Sequence, residues 1–352
     1  MNLSDYNYVL PKELIGQKAI EPRDSCRLLV VDRKTNIISH HIFSDLLDIL
    51  DSNTVLVLND TKVFPARLFG TKKTGGKTEV ILLEQLSQDT YSALGKGNLK
   101  AGTVITFSSE LFGEVLQVND GEAIIRFNKV GVSLIENIDK YGHTPLPPYI
   151  HSQVKEDDLR TQYQTVYAKE TGSAAAPTAG LHFTSKLLKK LNGKGVGIEY
   201  ITLHVGLGTF KPVTDEQVIS KTLHSEQFFL SEDVAKKLNQ AKKQGKKIIA
   251  IGTTTCRVLE SLSNNRGELS SGEGETSIFI QPGYKYKFVD GLITNFHLPE
   301  TSLLMLVMAL TNFPNSPAPL SNFEDSLVGE AYEEAIKEKY KFFSFGDAML
   351  IL

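Results

Sequence analysis

The spacing of the apolar runs changes abruptly in the first half of the chain, and this change limits the folds that the chain can form. Between residues 68 and 127, short alternating runs follow one another at 78–83, 103–107, 113–118 and 123–127. Glycine-containing turns separate these runs, and little helical pattern lies between them. Strands at such short spacing predict a small antiparallel sheet or barrel.

A different pattern precedes and follows that region. Residues 27–32 and 54–59 are apolar runs rich in β-branched residues, which predict strands. After residue 150, predicted strands at 198–203, 247–251 and 288–295 alternate with helices predicted to start near Thr184, Ser231 and Thr301. This alternation predicts a mixed or largely parallel sheet covered by helices.

Together the two patterns predict an α/β fold with a mixed-sheet body, helices, and an inserted small antiparallel β-barrel domain. The body would comprise residues 1–67 and 144–352, and the insert residues 68–143. A chain of 352 residues suits two domains. The proline-rich run at 144–149 predicts a stiff, extended connector between insert and body.

The amino-acid composition limits the cellular compartment and the class of protein that we expect. With 41% hydrophobic and 22% charged residues, the chain can bury a sizeable core. Its longest strongly apolar run, at 303–310, is far shorter than the ~20 residues of a membrane span, and no secretory signal is evident. Cys26 and Cys256 are too few for a disulfide framework. We therefore expect a cytoplasmic protein with no membrane partner.

The charge balance limits how the chain could contact nucleic acid. Proteins that grip nucleic acid over a wide face usually carry a basic excess, whereas this chain has 38 basic and 41 acidic residues. Any RNA contact must therefore be local, and lysine-rich stretches at 186–194 and 236–247 are candidates. Solvated faces of amphipathic helices explain both stretches just as well. We expect a monomer, with a dimer as the alternative.

Polar residues follow the apolar run at 54–59. Asn59 and Asp60 would leave a strand at its carboxyl end, and ligands of open α/β sheets bind beyond the carboxyl ends of strands. An ordinary Asx turn explains the same residues equally well.

The segment at 173–184 combines small residues with a proline, a glycine and a histidine. Thr178, Gly180 and His182 come just before a predicted helix start. Small side chains let a ligand approach the backbone, and a helix N-terminus binds anions. A tight packing loop is the alternative interpretation.

Three further histidines stand near predicted element ends. His204 is followed by Gly206 and Gly208, but Lys211 replaces the third glycine that a dinucleotide-binding fingerprint requires. The other two histidines and their polar neighbours are His224 with Glu226, and His297 with Asn295. A single histidine is more often structural, but four at element ends in one domain favour an active site.

Two other polar groups flank strands. Thr253, Thr254 and Arg257 follow a buried strand and open a helix, where hydroxyl and amide groups could hold a ribose or a carboxylate. A threonine N-cap is the alternative for one of them. Arg23 and Asp24 flank the first strand, and a plain ion-pair network explains them too.

Several catalytic signatures are missing from the sequence. It has no H-x-x-x-H or C-x-x-C metal spacing, no G-x-S-x-G and no phosphate-binding P-loop. We expect no metal, although scattered histidines could still assemble a centre.

Taken in order, the quoted segments resemble one family closely: the S-adenosylmethionine:tRNA ribosyltransferase-isomerases of bacterial queuosine biosynthesis. The match spans nearly the whole chain. Its clearest segments are YVLP at 8–11, RD at 23–24, VLNDT at 57–61, PARL at 65–68, PLPPY at 145–149, APTAGLHF at 176–183, LHVG at 203–206, HSE at 224–226, GTT at 252–254, TNFHLP at 294–299 and FGDAM at 345–349.

The resemblance implies an unusual use of S-adenosylmethionine as co-substrate. Its ribosyl portion, and not its methyl group, would be transferred to 7-aminomethyl-7-deazaguanine at the wobble position of a tRNA. Isomerisation would give epoxyqueuosine, with release of adenine and methionine. The implied partner is therefore a tRNA that carries this precursor base.

Some positions depart from the family pattern. Cys26 stands where the family usually has serine, Leu207 where alanine is usual, and Gln227 where tryptophan is common. The insert also lacks the family's typical tryptophan and Lys-Pro run. These departures leave the reaction intact but leave open how the insert contacts RNA.

The implied chemistry needs a base near C5′, whose protons the sulfonium acidifies, and an acid for the departing adenine. Histidine suits the base, so His204, His182 and His224 are the catalytic candidates, with Glu226 and Asp60 as candidate acids. We expect these histidines and His297 to converge on one cavity. The expected substrate-binding residues are Arg23, Asp24, Asn59, Arg67, Thr178, Gly180, Gly206, Gly208, Thr253, Thr254, Arg257, Tyr284, Asn295 and His297.

Two other classes of protein remain as alternatives. A methyltransferase or nucleosidase acting on the same cofactor would explain the site, and its products would distinguish it. A non-catalytic RNA-binding module is the structural alternative, but such a module does not require four histidines at sheet ends.

Overall fold

A computed structural model describes residues 3–119, 121–150, 154–206 and 213–352. Its strands are β1 (Arg27–Asp32), β2 (Ile37–Ile42), β3 (Thr54–Asn59), β4 (Thr61–Val63), β5 (Arg67–Lys72), β6 (Lys77–Gln85), β7 (Thr90–Lys96), β8 (Val104–Thr106), β9 (Phe112–Asn119), β10 (Glu122–Phe127), β11 (Glu170–Ser173), β12 (Gly197–Leu203), β13 (Thr222–Leu230), β14 (Lys247–Ile251), β15 (Gly272–Ile278), β16 (Gly291–Asn295) and β17 (Ala348–Ile351). Its helices are α1 (Leu46–Ile49), α2 (Gly131–Tyr141), α3 (Glu156–Gln162), α4 (Ser185–Gly193), α5 (Asp215–Ser220), α6 (Glu232–Lys243), α7 (Thr253–Ser261), α8 (Ser302–Thr311) and α9 (Leu327–Lys337).

A nine-stranded sheet forms the body, in the order β15-β13-β12-β3-β14-β16-β17-β1-β2. The central strands β12, β3, β14 and β16 run parallel, and antiparallel pairs flank them. Strands from both ends of the chain meet in this sheet, because β1 pairs with β17. The predicted mixed α/β body is therefore confirmed.

The central strand β3 shows why the sheet is covered on both faces. Side chains alternate across a strand, and all six residues of β3 are buried. Val55 and Val57 pack into one hydrophobic cluster, while Leu56 and Leu58 pack into the cluster on the opposite face. Only a sheet with helices on both faces buries both sets.

The helix starts follow from capping residues that the sequence indicated. The hydroxyls of Thr184, Ser231 and Thr301 accept hydrogen bonds from the backbone N–H of the third residue beyond each. Helix α7 instead starts after Gly252, whose φ of 87° is a backbone conformation that glycine adopts without strain.

The predicted small β-rich unit is a closed six-stranded barrel, β10-β7-β6-β5-β8-β9. Leu134 and Ile138 of α2 pack into its core. The chain enters and leaves this unit at one place, because Arg67 and His143 exchange two backbone hydrogen bonds of 3.0 and 2.8 Å. The division into domains at residues 68 and 143 stays a prediction, and β5 starts one residue before the first boundary.

One predicted strand is shorter than expected. We predicted a strand at 288–295, but β16 begins only at Gly291. The backbone N–H groups of Phe288 and Val289 donate at 2.9 Å to the buried carboxylate of Glu260 and so are unavailable to a sheet. Among the described residues, no helix has both the length and the apolarity to cross a membrane.

Candidate active site

The polar residues predicted at strand ends do meet at one edge of the sheet. Because β12, β3, β14 and β16 are parallel, their carboxyl ends lie side by side. His204 follows β12, Asn59 ends β3, Thr253 opens the helix after β14, and Asn295 ends β16. This edge is where open α/β sheets bind ligands.

Asn59 holds this edge together. Its side-chain oxygen accepts hydrogen bonds from the backbone N–H of Thr61 at 3.1 Å and of Leu203 at 3.0 Å. Its amide nitrogen donates to the carbonyl of Leu203 at 3.0 Å and to Thr254 Oγ1 at 3.4 Å. The fully buried amide thus links β3, β12 and α7, which is a positioning function.

A cleft of about 780 Å³ lies between this edge and the barrel. This volume falls within the range of ~300–1,000 Å³ that is common for small-molecule sites. The body contributes Thr171, Gly172, His204, Val205, Gly206, His224, Ser225, Glu226 and Gln227. The barrel and α2 contribute Leu83, Glu84, Gln85, Tyr91, Ser92, Leu94, Glu122, Ile135, Ile138 and Asp139.

His204 presents its imidazole to this cleft from a closely fitted position. Its Nδ1 lies 2.8 Å from Thr61 Oγ1. A Cβ added at Gly172 would come within 2.7–2.9 Å of the ring, so only glycine leaves room for it. Burial lowers the pKa of His204, against the opposing effect of Glu170. The imidazole is therefore neutral near pH 7.

A buried ion pair joins Glu226, which lines the cleft, to Arg257, which does not. Burial alone would raise the pKa of Glu226, but the guanidinium of Arg257 and the side chain of His224 hold it below its usual range. Arg257 Nη1 donates to Glu226 Oε2, and its other nitrogens donate to backbone carbonyls of residues 276 and 278. His224 Nε2 lies 3.6 Å from Glu226 Oε1, which accepts the Gly206 N–H at 3.1 Å.

A second cavity of about 260 Å³ adjoins the cleft. Val205 lines both spaces and so forms part of the wall between them. The second cavity is lined by Tyr149, Ala176, Pro177, Thr178, Ala179, Val205, Gly252, Thr253, Thr254, Thr294, Asn295, Phe296, His297, Leu298, Pro299, Glu300, Thr301, Leu303, Phe343 and Ser344.

His182 lies behind this second cavity and lines neither space. Its Nδ1 is 3.2 Å from the Sγ of Cys26, and its Nε2 is 3.0 Å from the amide nitrogen of Asn295. Burial, assisted by the charge of Arg23, lowers its pKa to about 4. A neutral, enclosed imidazole of this kind orients its neighbours.

His297 lines the second cavity but is also enclosed. Its Nε2 is 2.8 Å from Thr294 Oγ1, and burial lowers its pKa to about 3. The four histidines therefore do not all line one cavity. His204 and His224 line the cleft, His297 lines the second cavity, and His182 lies behind the second cavity.

Several expected site residues line neither space and are bonded elsewhere. Asp60 accepts from Thr202 Oγ1 at 2.7 Å, and burial raises its pKa. Tyr284 donates to the buried Glu260 at 3.0 Å. Arg67 donates to Glu79 within the barrel at 2.8 Å.

Three more expected residues also have structural contacts. Arg23 donates to the backbone carbonyls of residues 164 and 161 at 2.6 and 2.7 Å, and Asp24 accepts from the capping Thr184 at 2.7 Å. A Cβ at Gly180 would overlap the Tyr167 hydroxyl, so this glycine serves close packing. Gly208 lies outside the described residues.

Two residues at the cleft escaped the sequence reasoning. Gly172 fits the His204 ring, and only the fold brings these two residues together. Gln227 Nε2 donates to Glu84 Oε1 at 2.6 Å and so joins the body to the barrel beside the cleft. In the described part of the chain, no group of three or more His, Cys, Asp or Glu is placed to hold a metal ion.

An α/β body with a histidine-bearing cleft at its carboxyl edge, faced by a barrel, defines a two-part enzyme. A family model described as a queuosine biosynthesis protein matches residues 3–351. Because this match covers nearly the whole chain, the chain belongs to that family.

Named relatives are similar over their full length. One, an S-adenosylmethionine:tRNA ribosyltransferase-isomerase of Clostridioides difficile (strain 630), is 49% identical, with all of both chains covered. Another of the same name, from Desulfitobacterium hafniense (strain DSM 10664 / DCB-2), is 47% identical, again with full coverage. The crystal structure of S-adenosylmethionine tRNA ribosyltransferase from Thermotoga maritima has a TM-score of 0.54 and 34% identity, covering 99% of this chain and 100% of that one.

The buried pair of Glu226 and Arg257 generates a stability prediction. Glu226→Ala should lower the free energy of unfolding by about 3–5 kcal/mol, because it leaves the buried guanidinium of Arg257 unpaired. Arg257→Ala should lower it by a similar amount, because it leaves the carboxylate of Glu226 unpaired. The double variant should lose clearly less than the sum, since no unpaired charge then remains. Chemical denaturation of the three variants measures this.

Glu114→Ala is the matched control, because Glu114 pairs with Arg126 on the barrel surface. We expect no resolvable change in that variant. Additive losses for Glu226 and Arg257 would contradict the account of a mutually dependent buried pair.

Proposed function

We propose that this chain transfers and isomerises the ribosyl group of S-adenosylmethionine onto 7-aminomethyl-7-deazaguanine at the wobble position of a tRNA, and releases adenine and methionine. The observation that carries this proposal is the cleft of about 780 Å³ with His204 on its wall, in a chain of the queuosine biosynthesis family. The names of the full-length relatives support the same reaction.

His204 is the base that we assign to C5′ of S-adenosylmethionine. Nδ1 of His204 lies 2.8 Å from Thr61 Oγ1, which itself lies 3.5 Å from the Glu170 carbonyl oxygen. We assign the proton of the neutral ring to Nδ1, which leaves the lone pair on Nε2. A neutral imidazole in this tautomer can remove a proton.

Glu226 is less suited to be the acid for the departing adenine. Its lowered pKa keeps it ionised near pH 7, so it holds Arg257 and the backbone at Gly206 instead. Asp60 has a raised pKa but lines neither cavity. His224, 3.6 Å from Glu226, lines the cleft and does not line the second cavity, so we assign this proton to none of the three.

The cleft also leaves room for the nucleotide that accepts the ribosyl group. Its barrel wall offers Leu83, Tyr91 and Ile135 to an unstacked base, and such bases commonly stack on aromatic and apolar side chains. We propose that the chain acts in the cytoplasm, because Cys26 and Cys256 are both free and buried. We also propose that it acts as a monomer.

The products test the reaction directly. The full chain is incubated with S-adenosylmethionine and with tRNA that carries the precursor base. Adenine and methionine should appear in equal amounts, each in proportion to modified tRNA. Accumulation of S-adenosylhomocysteine would instead show methyl transfer and overturn the proposal.

The assigned base generates a second prediction. His204→Ala should lower turnover by about 10²–10⁴, the usual contribution of a general base, with little change in melting temperature. In the wild type, the acid limb of the kcat/KM profile should lie below pH 6.5, the ordinary pKa of histidine, because burial lowers the pKa of His204. The base is neutral above its pKa, so activity should fall only below that point.

His41→Ala is the matched control, since His41 lies on β2 at the far edge of the sheet. A purely structural His204 would give another result: a loss of ~1–3 kcal/mol in stability with near-normal turnover of the folded fraction.

A further inference from the structure

The second cavity contains a hydrogen-bond network in which groups behind the cavity determine which atoms donate and which accept. The Phe343 carbonyl can only accept, and it lies 3.1 Å from the side chain of Asn295, so the amide nitrogen of Asn295 must face it. The same nitrogen donates to His182 Nε2 at 3.0 Å. His182 is then protonated on Nδ1, which donates to the Sγ of Cys26 at 3.2 Å.

This network decides what Thr178 offers to the cavity. The oxygen of the Asn295 amide accepts from the Thr178 hydroxyl at 2.9 Å. The only hydroxyl proton of Thr178 is therefore engaged, and its lone pairs remain for a ligand. Thr178 is half-buried, while Pro177 and Ala179 beside it are buried, so its side chain is the accessible one. A ligand must bring a donor to this point.

The rest of the lining favours a flat, neutral ligand. Tyr149 and Phe343 lie on the same wall, with ring centroids 4.9 Å apart. Of the described residues that line the cavity, Glu300 is the only Asp, Glu, Lys or Arg, and burial keeps His297 neutral. The amino-acid end of S-adenosylmethionine carries two opposite charges, which such a lining would match poorly.

We propose that the second cavity binds the purine of S-adenosylmethionine, with the exocyclic amino group donating to Thr178. This inference rests on the proposed function and adds the location and the selectivity of one part of the substrate. The ribose would then lie at Val205, which lines both spaces, with C5′ toward His204 in the cleft.

The arrangement separates the leaving group from the acceptor. When the bond between the purine and the ribosyl carbon breaks, its electron pair goes to the purine, which takes up one proton from water and leaves as adenine. Adenine would remain in the second cavity, while the ribosyl group stays in the cleft with the tRNA amine. The two spaces thus keep adenine from competing with the acceptor.

Calorimetric binding to the full chain without tRNA tests this inference. The probes are S-adenosylmethionine and S-inosylmethionine, in which an oxygen that cannot donate replaces the amino group. The wild type should bind the adenosyl compound about tenfold or more tightly than the analogue. In the analogue, the replacing oxygen and Thr178 Oγ1 are both acceptors and cannot form a hydrogen bond. T178V should abolish this preference by weakening only the adenosyl compound, and T178S should keep it.

The matched control is T161V, because Thr161 is an exposed threonine on α3. This variant should keep the wild-type preference. A wild type that shows no preference, or a T178V variant that weakens both compounds equally or neither, would overturn the inference. The product analysis with tRNA is independent of these titrations, so failure of the purine site and failure of the proposed reaction are distinguishable.

Discussion

The parallel alignment of four central strands, two of which the buried amide of Asn59 joins to each other and to α7, is the constraint on which the site depends. The four hydrogen bonds of Asn59 reach three parts of this edge: the chain after β3, the end of β12, and the start of α7. An unpaired buried amide would cost roughly 1–3 kcal/mol. The position of His204 therefore follows from how β12 is held against β3.

Burial then determines the charge states along this edge. His182 and His297 are enclosed and neutral near pH 7, and they contact Asn295 and Thr294, respectively. Glu226 stays ionised because Arg257 and His224 offset the cost of its burial. His204 differs from the enclosed histidines because it faces an open cleft of about 780 Å³. The same residue type thus lies in two environments along this edge, and accessibility separates them.

Much of the fold could be predicted because its main strands are continuous apolar runs. The predicted strands at 27–32 and 54–59 coincide with β1 and β3, and the short alternating runs form the barrel. Strand β13 escaped prediction because its burial pattern is irregular, with only Glu226 and Leu230 buried among its nine residues. The carboxylate of Glu260 shortened β16 through contacts that no local pattern indicates.

The site was harder to predict than the fold. Sequence position placed each histidine at an element end, but it could not tell on which side of Val205 each side chain would lie. The glycine that makes room for the His204 ring is Gly172, which is remote in sequence, whereas Gly180 packs against Tyr167. Such pairings depend on tertiary contacts between distant segments.

A crystal structure of the full chain with S-adenosylmethionine bound tests the central claim most directly. We predict that C5′ lies on the cleft side of Val205, about 3–3.5 Å from Nε2 of His204, the separation of reacting atoms in a near-attack geometry. A complex with the sulfonium and C5′ bound away from His204 would contradict the account.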